Sequence, residues 1–163
     1  MEGEMFVAAS GHSEDIDTLS AFAEVREQCE AAMEGKPPQA GLLFAGMDFE
    51  HQELLDAISD AWPGIELIGC TTDGELSSCL GFRDDSISLL LLASDTIGFA
   101  TGLGRGLSED AETACKQAVK QARAKTELEP RLCIYCTLVV IGSAVSDLLL
   151  IWLDPRIRLE AAR

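Results

Sequence analysis

An α/β domain with a mixed β-sheet and helices packed on it is the fold class that the sequence predicts. Short apolar runs alternate with amphipathic helical stretches through residues 5–69, which is typical of strands separated by helices. Two strand-like runs then follow each other without a helix between them. The chain has 163 residues, 47% of them hydrophobic and 25% charged, which suits one domain with a core. The predicted order is β-α-β-α-β-β-β-α-β-α.

The first strand and helix are predicted near the N-terminus. Residues 5–10, MFVAAS, form a short apolar run that predicts a strand. The next segment is predicted to be a helix, because apolar residues recur on one face and glutamates fill the other. Ser13, Asp15 or Asp17 can cap its start, and Gly35 ends it. The apolar positions are Leu19, Phe22, Val25, Cys29 and Ala32.

A second strand, a second helix and a third strand come next. Residues 40–46, AGLLFAG, predict a buried strand. Asp48 opens a helix that Pro63 and Gly64 stop. Residues 65–69, IELIG, predict the third strand, so the alternation of strand and helix continues to this point.

Two strands and a helix are predicted after that. Residues 84–94 and 96–106 read as neighbouring strands, in a hairpin that turns near Asp95. Ser108 is the predicted cap of the next helix, whose first turn is acidic and whose later turns carry lysine and arginine. Because that order of charges complements the helix dipole, it predicts a helix that ends before Pro130.

The sequence divides at residue 130 into an N-terminal α/β domain, 1–130, and an apolar tail, 131–163. Within the tail, residues 132–153 carry Asp147 as their one charge and are long enough to cross a bilayer. Asp147 and the break at Gly142 instead favour a strand followed by a helix, which completes or truncates the same domain. We therefore predict that the tail does not span a membrane.

Net charge and cysteine usage restrict the class of protein. A formal net charge of −16 would repel phosphate backbones and anionic lipid, so nucleic acid is excluded as a partner. The N-terminus is acidic where a signal peptide needs a basic region. The six cysteines are scattered through predicted helices and strands, which favours reduced thiols that are mostly buried as small hydrophobic side chains. These features predict an acidic cytoplasmic protein.

The stretch ELIGCTTDGELSSC, residues 66–79, ends a strand in a series of small polar groups. Backbone amides, hydroxyls, a thiol and carboxylates converge there, at the carboxyl end of a strand, where ligands of open α/β sheets bind. The alternative is a tight turn at Asp73 and Gly74, with the threonines bonded to its backbone. The candidate ligand-binding residues are Gly69, Cys70, Thr71, Thr72, Asp73, Gly74 and Glu75.

Three other patterns favour packing or surface positions over chemistry. Cys133 and Cys136 have redox or zinc spacing, but a buried strand would point them to opposite faces and no second pair exists. The alternate glycines of residues 102–107, GLGRGL, favour close packing of another element over phosphate binding. His12 and His51 lack metal-like neighbours, which favours surface or helix-start positions and indicates no metal site.

The sequence does not assemble a catalytic set. Catalysis by a thiol needs a base and an orienting group beside the nucleophile. Cys70 has no base near it along the chain, and His51 would serve only if the strand and helix ends meet. The prediction is therefore a protein that is not an enzyme, with no catalytic residue.

The segment Ile68–Leu76, IGCTTDGEL, resembles the IGCSTxGEI segment of the FIST domain, a sensory module of signalling proteins. FVAAS with its alanine-rich helix, GLLFAGMDFEHQELLDAI and GFATGLGRGLSEDAETACKQAV are similar to other parts of that domain, in the same order. The resemblance covers about residues 4–130. A full FIST protein continues into a GGxAGD-like segment and a second half, so the chain looks like a truncated N-terminal half.

The resemblance implies an intracellular sensory domain that binds a small ligand at residues 69–75 and passes the signal to an output protein. Amino acids or similar metabolites are the ligands suggested for the family, and some relatives are described as haem-dependent. Two alternatives stay open from the residues. One is a thiol-dependent enzyme that uses Cys70, and the other is a structural or interaction module that dimerises through an exposed sheet edge.

Overall fold

The structure is a computed structural model that describes residues 5–134. The chain forms two compact units, Met1–Glu129 and Pro130–Arg163, and residues 130–134 are the described part of the second. The elements of the first unit are β1 (Phe6–Ser13), α1 (Thr18–Ala32), β2 (Ala40–Ala45), α2 (His51–Ala61), β3 (Glu66–Thr71), β4 (Glu75–Ser77), β5 (Gly81–Arg83), β6 (Ile87–Ser94) and α3 (Ala111–Arg123).

The main sheet has four strands in the order β1-β6-β2-β3. β2 and β3 are parallel and are joined through α2, whereas β6 is antiparallel to both of its neighbours, β1 and β2. β4 and β5 form a separate antiparallel pair. The predicted α/β class with a mixed sheet is confirmed, and the order of elements follows the predicted alternation up to β3.

The hydrophobic core lies where α1 and α2 pack on the sheet. Phe22 and Val25 of α1 and Leu54 and Ile58 of α2 are all buried in it. Phe22 meets the ring of Trp62 edge to face, with centroids 5.9 Å apart. The sheet contributes alternate residues of its strands, which are Ala9, Leu43, Ala45, Ile87, Leu89, Leu91 and Ala93.

Two glycines end one cross-strand row of this packed face. Gly11 pairs with Leu89, Leu89 with Leu43, and Leu43 with Gly69. A Cβ on Gly11 would lie 2.5 Å from the Val25 carbonyl oxygen of α1, so the missing side chain lets that helix approach the sheet. A Cβ on Gly69 would overlap the Leu43 carbonyl oxygen of the neighbouring strand.

Residues 96–106 are not a strand, so that prediction is wrong. The backbone amide of Thr101 donates to the Glu66 carboxylate, 2.8 Å away, and not to a strand partner. The prediction that the glycines allow close packing is confirmed, because Gly102 and Gly104 lie directly against the backbone of α3 at Ala118 and Ala114. Side chains at these glycines would prevent that contact, so helix packing takes the place of strand pairing.

The hairpin of β4 and β5 was not predicted from the sequence. It occupies residues 75–83, between the polar turn after β3 and the start of β6. Each strand has three residues, with a turn at residues 78–80 between them. Strands this short carry too few residues for an alternation of apolar and polar side chains to show.

The structure confirms the predicted start of one helix and corrects the starts of two others. Asp17 caps α1, one of the three candidates, through a 2.9 Å bond from the Ser20 amide. α2 begins at His51 and not after Asp48, because residues 47–49 form a turn. Asp110, not Ser108, caps α3 and accepts from the Thr113 amide at 3.0 Å.

Two predictions about side-chain burial are also wrong. Leu19 lies on the solvent side of α1, with 47% of its surface exposed, and Ala32 at the end of the helix is exposed. Ala21 and Thr18 are buried in their place. The apolar stripe of α1 is therefore rotated relative to the predicted one.

The predicted strand and helix of residues 131–163 fall almost entirely outside the described residues. Residues 132–134 are described, are not in a strand, and Leu132, Cys133 and Ile134 are exposed. Within residues 5–134, no helix is long and apolar enough to cross a membrane.

We expect Gly11→Ala to lower the free energy of unfolding by about 1–3 kcal/mol, because the added methyl pushes α1 away from the sheet. Urea unfolding followed by circular dichroism measures the change. Ala8→Val on the same strand is the control, since Ala8 is exposed and its variant should stay within about 0.5 kcal/mol of wild type. Equal stability of Gly11→Ala and wild type would contradict the close approach.

Candidate functional site

The predicted ligand-binding residues occupy three successive parts of the chain. Gly69, Cys70 and Thr71 are the last residues of β3. Thr72 is held by a 3.0 Å bond from its amide to the Ala45 carbonyl at the end of β2, and the chain then turns through residues 73–74. Glu75 is the first residue of β4. Strand end, turn and hairpin are therefore continuous at this site.

Glu75 points into the protein and is 2% exposed. One carboxylate oxygen, Oε2, accepts from the Ser86 amide at 3.0 Å and from the Ser86 hydroxyl at 2.5 Å. The other, Oε1, accepts from the Thr72 hydroxyl. These three bonds replace the water that the carboxylate loses on burial, which is the condition for an acidic side chain in an interior.

His12 continues this buried polar network and is 1% exposed. Its Nε2 lies 2.8 Å from the Ser86 hydroxyl oxygen and its Nδ1 lies 2.5 Å from that of Ser77. Because the Ser86 proton points to Glu75, Nε2–H must donate to Ser86. In the neutral ring Nδ1 then accepts from the Ser77 hydroxyl. The prediction of a surface or helix-start position for His12 is therefore wrong.

Burial is the main influence on the charge of His12, and it lowers the pKa of the imidazole. The carboxylates of Glu75 and Glu14 act in the opposite direction, and the guanidinium of Arg83 acts with burial. The Ser77 oxygen already accepts from the Cys79 and Leu80 amides at 3.2 and 3.3 Å, so its proton is left for Nδ1 and the ring is the neutral tautomer. We conclude that His12 is uncharged at neutral pH.

Further bonds connect the network to α1 and to the hairpin. The backbone amide and carbonyl of His12 both bond the Gln28 side chain of α1 at 3.0 Å. The Ser13 hydroxyl donates to Glu24 at 2.6 Å, and Arg83 of β5 pairs with Glu14 at 2.7 Å. Among the described residues, every buried side-chain nitrogen and oxygen has a hydrogen-bond partner. The loop after β3 is thus fixed to the whole sheet by a satisfied network.

A cavity of about 200 Å³ lies beside the same loop, between α2 and the ends of β2 and β3. Gly69, Cys70 and Thr71 line one side of it and His51 lines another. The remaining lining residues are Leu43, Ala45, Leu54, Leu55, Leu67 and Ile68. An apolar cleft with a few polar groups is the usual form of a small-molecule site, and this one is smaller than the ~300–1,000 Å³ typical of such sites.

His51 is the first residue of α2, as expected for a helix-start histidine. Its Nε2 donates to the Gly46 carbonyl at 2.9 Å, which holds the ring at the cavity wall. His51 and Cys70 line the same cavity, so the start of α2 and the end of β3 lie on different parts of its wall. Among residues 5–134, no group of three or more histidine, cysteine or acidic side chains could hold a metal ion.

The prediction that most cysteines are buried is wrong, because among the described ones Cys29 is buried, Cys70 is half-buried, and Cys79 and Cys115 are exposed. The cysteine pair at 133 and 136 cannot be placed as a pair. Cys133 is exposed, and Cys136 lies outside the described residues.

The sequence analysis missed that His12, Ser77 and Ser86 belong to one hydrogen-bond network. Ser77 lies 65 positions after His12 along the chain, and Ser86 lies 74 positions after it. The available signal was a histidine and a serine at the ends of two apolar strands, where unpaired polar groups would be costly.

We expect Glu75→Ala to destabilise the protein by about 1–3 kcal/mol, because the Ser86 amide and hydroxyl would lose their acceptor inside the protein. Urea unfolding measures the loss. Asp73→Ala, which removes an exposed carboxylate two residues away, is the control and should leave stability nearly unchanged. Equal effects of the two variants would refute the network.

The lowered pKa of His12 makes stability depend on pH. The imidazole of the unfolded chain titrates at about pH 6.5. The stability that a neutral, buried His12 gives the folded state is therefore complete above that pH and decreases as the pH falls below it. We expect the unfolding free energy of His12→Gln to fall less than that of wild type between about pH 7.5 and pH 5.

Thr96→Val, at an exposed residue that does not titrate, is the control for this pH dependence and should retain the slope of wild type. If His12→Gln does not fold, NMR titration of His12 in wild type replaces the comparison. An imidazole that titrates above its ordinary pKa would contradict the assignment of a neutral ring.

Comparison with known proteins gives one family match. The sequence model of the FIST N domain matches residues 39–158, which is most of the chain. The match includes the IGCTTDGEL segment and extends beyond residue 130, where the resemblance noted in the sequence ended. No curated protein sequence matches the chain. The chain belongs to the FIST N domain family, a family of sensory domains associated with signal transduction.

Proposed function

We propose that this protein is a cytoplasmic sensor that binds a small metabolite, such as an amino acid, at the segment Gly69–Glu75 and signals to an output protein. The observation that carries the proposal is the cavity beside this segment. Three of the seven candidate residues, Gly69, Cys70 and Thr71, line it. Membership of a family of sensory domains supports the proposal that the protein is a sensor.

The geometry suggests different roles for the outward and inward residues of the segment. Thr71 and Asp73 are exposed, so the Thr71 hydroxyl can hydrogen-bond a ligand and the Asp73 carboxylate can pair with its cationic group. Thr72 and Glu75 bond each other on the inner side and hold the segment in place. Gly69 and Gly74 serve packing, because a Cβ on Gly69 would overlap the Leu43 carbonyl oxygen and one on Gly74 would lie 2.6 Å from the Phe82 ring.

The buried network offers a route by which binding is communicated. A ligand at Thr71 and Asp73 acts on the backbone next to Thr72, which bonds Glu75. Glu75 bonds Ser86 at the start of β6, and Ser86 bonds His12 of β1. Binding that favours one arrangement of this network changes the population of signalling states.

A thermal-shift screen of amino acids, other small metabolites and haem tests the proposal. A true ligand at a hundredfold excess over its dissociation constant stabilises the folded state by about 2.7 kcal/mol. We expect Thr71→Val to bind the ligand more weakly, and the control Thr96→Val, also at an exposed threonine, to bind as wild type does. A ligand that Thr71→Val and wild type bind equally would exclude this site.

A further inference from the structure

The lining of the cavity between α2 and β3 is mainly aliphatic. Five of its ten lining residues are leucine or isoleucine, and none of these ten described residues is an acid, a lysine or an arginine. A charged group inside would therefore lack a partner of opposite charge, and burial without one is costly. The five aliphatic residues are Leu43, Leu54, Leu55, Leu67 and Ile68.

The polar residues of the cavity lie at one end of it, where the polar end of a ligand can remain outside the apolar part. Thr71 is exposed and Cys70 is half-buried, and both precede the exposed Asp73. Leu54 and Leu43, in contrast, are 1% and 8% exposed and belong to the core. The cavity thus has a polar side at the end of β3 and an aliphatic side, which is buried at Leu43 and Leu54 and reaches solvent at Leu55.

The volume limits what can enter. At about 200 Å³ the cavity is slightly larger than the cavity of about 150 Å³, lined by leucine, isoleucine and phenylalanine, that binds benzene in another protein. A branched aliphatic group of about four or five carbons is of that size. A longer group would extend past the exposed Leu55 into solvent, where its additional carbons gain little from burial.

We infer that this cavity selects a ligand with a branched aliphatic group of four or five carbons, with the polar head group held at Thr71 and Asp73. The inference rests on the proposed function, and it adds the class of ligand to the site. His51 contributes a ring wall, fixed by its bond to the Gly46 carbonyl. Each methylene that fills the cavity should tighten binding about fourfold.

Methyl-labelled wild-type protein and three probe ligands test the inference by NMR. Leucine carries the branched group, alanine lacks it, and 3-methylbutan-1-ol carries it without ammonium or carboxylate. We expect leucine to bind about sixtyfold more tightly than alanine, from three additional carbons. Leucine and 3-methylbutan-1-ol should both shift the methyl resonances of Leu54, Leu55, Leu67 and Ile68.

Leu55→Trp should fill the cavity and remove these shifts. Its control is Leu19→Trp, at a similarly exposed leucine of α1 outside the cavity, since Leu55 and Leu19 are 38% and 47% exposed. Because the ranking of ligands is measured on wild type, the test does not depend on Leu55→Trp folding.

The outcomes separate this inference from the proposed function. If alanine and leucine bind equally, with changes only at residues 71–75, the sensor proposal is supported and the inference is wrong. If only 3-methylbutan-1-ol binds, in the cavity, the aliphatic selectivity is supported and the amino-acid site is wrong. Absence of methyl shifts with all three probes overturns the inference.

Discussion

The buried carboxylate of Glu75 is the constraint on which the arrangement of the site depends. An acidic side chain that is 2% exposed needs hydrogen-bond donors, and the Ser86 amide, the Ser86 hydroxyl and the Thr72 hydroxyl supply them. Because the Ser86 proton is used for Glu75, its oxygen accepts from His12. One carboxylate thereby determines the tautomer of His12 and the position of the loop.

This constraint gives the segment Gly69–Glu75 two sides. Thr72 and Glu75 are turned inward, where they bond each other, whereas Thr71 and Asp73 remain exposed. The tight-turn interpretation and the ligand-site interpretation of the sequence are therefore compatible. The turn at residues 73–74 leaves Asp73 exposed, and Thr71, the last residue of β3, lines the cavity.

Sequence patterns predicted the parts of the fold that depend on local burial, and failed where distant partners decide. The strands β2 and β3 were predicted from short apolar runs, and α1 from helical periodicity. Residues 96–106 look like a strand, yet their glycines pack on α3 and Thr101 bonds Glu66. No spacing rule joins His12 to Ser77 or Ser86, since their contact depends on how the hairpin and the sheet pack together.

The proposed sensor needs two states that a ligand distinguishes, and we expect these states to differ in the hydrogen bonds of Glu75. A ligand held only by Thr71 and the cavity leaves every bond of Glu75 in place. A ligand that also recruits the Thr72 hydroxyl removes one donor from Glu75, at a cost of about 1–3 kcal/mol. That cost is comparable to typical coupling energies between sites, so Thr72 is where binding and the buried network can be coupled.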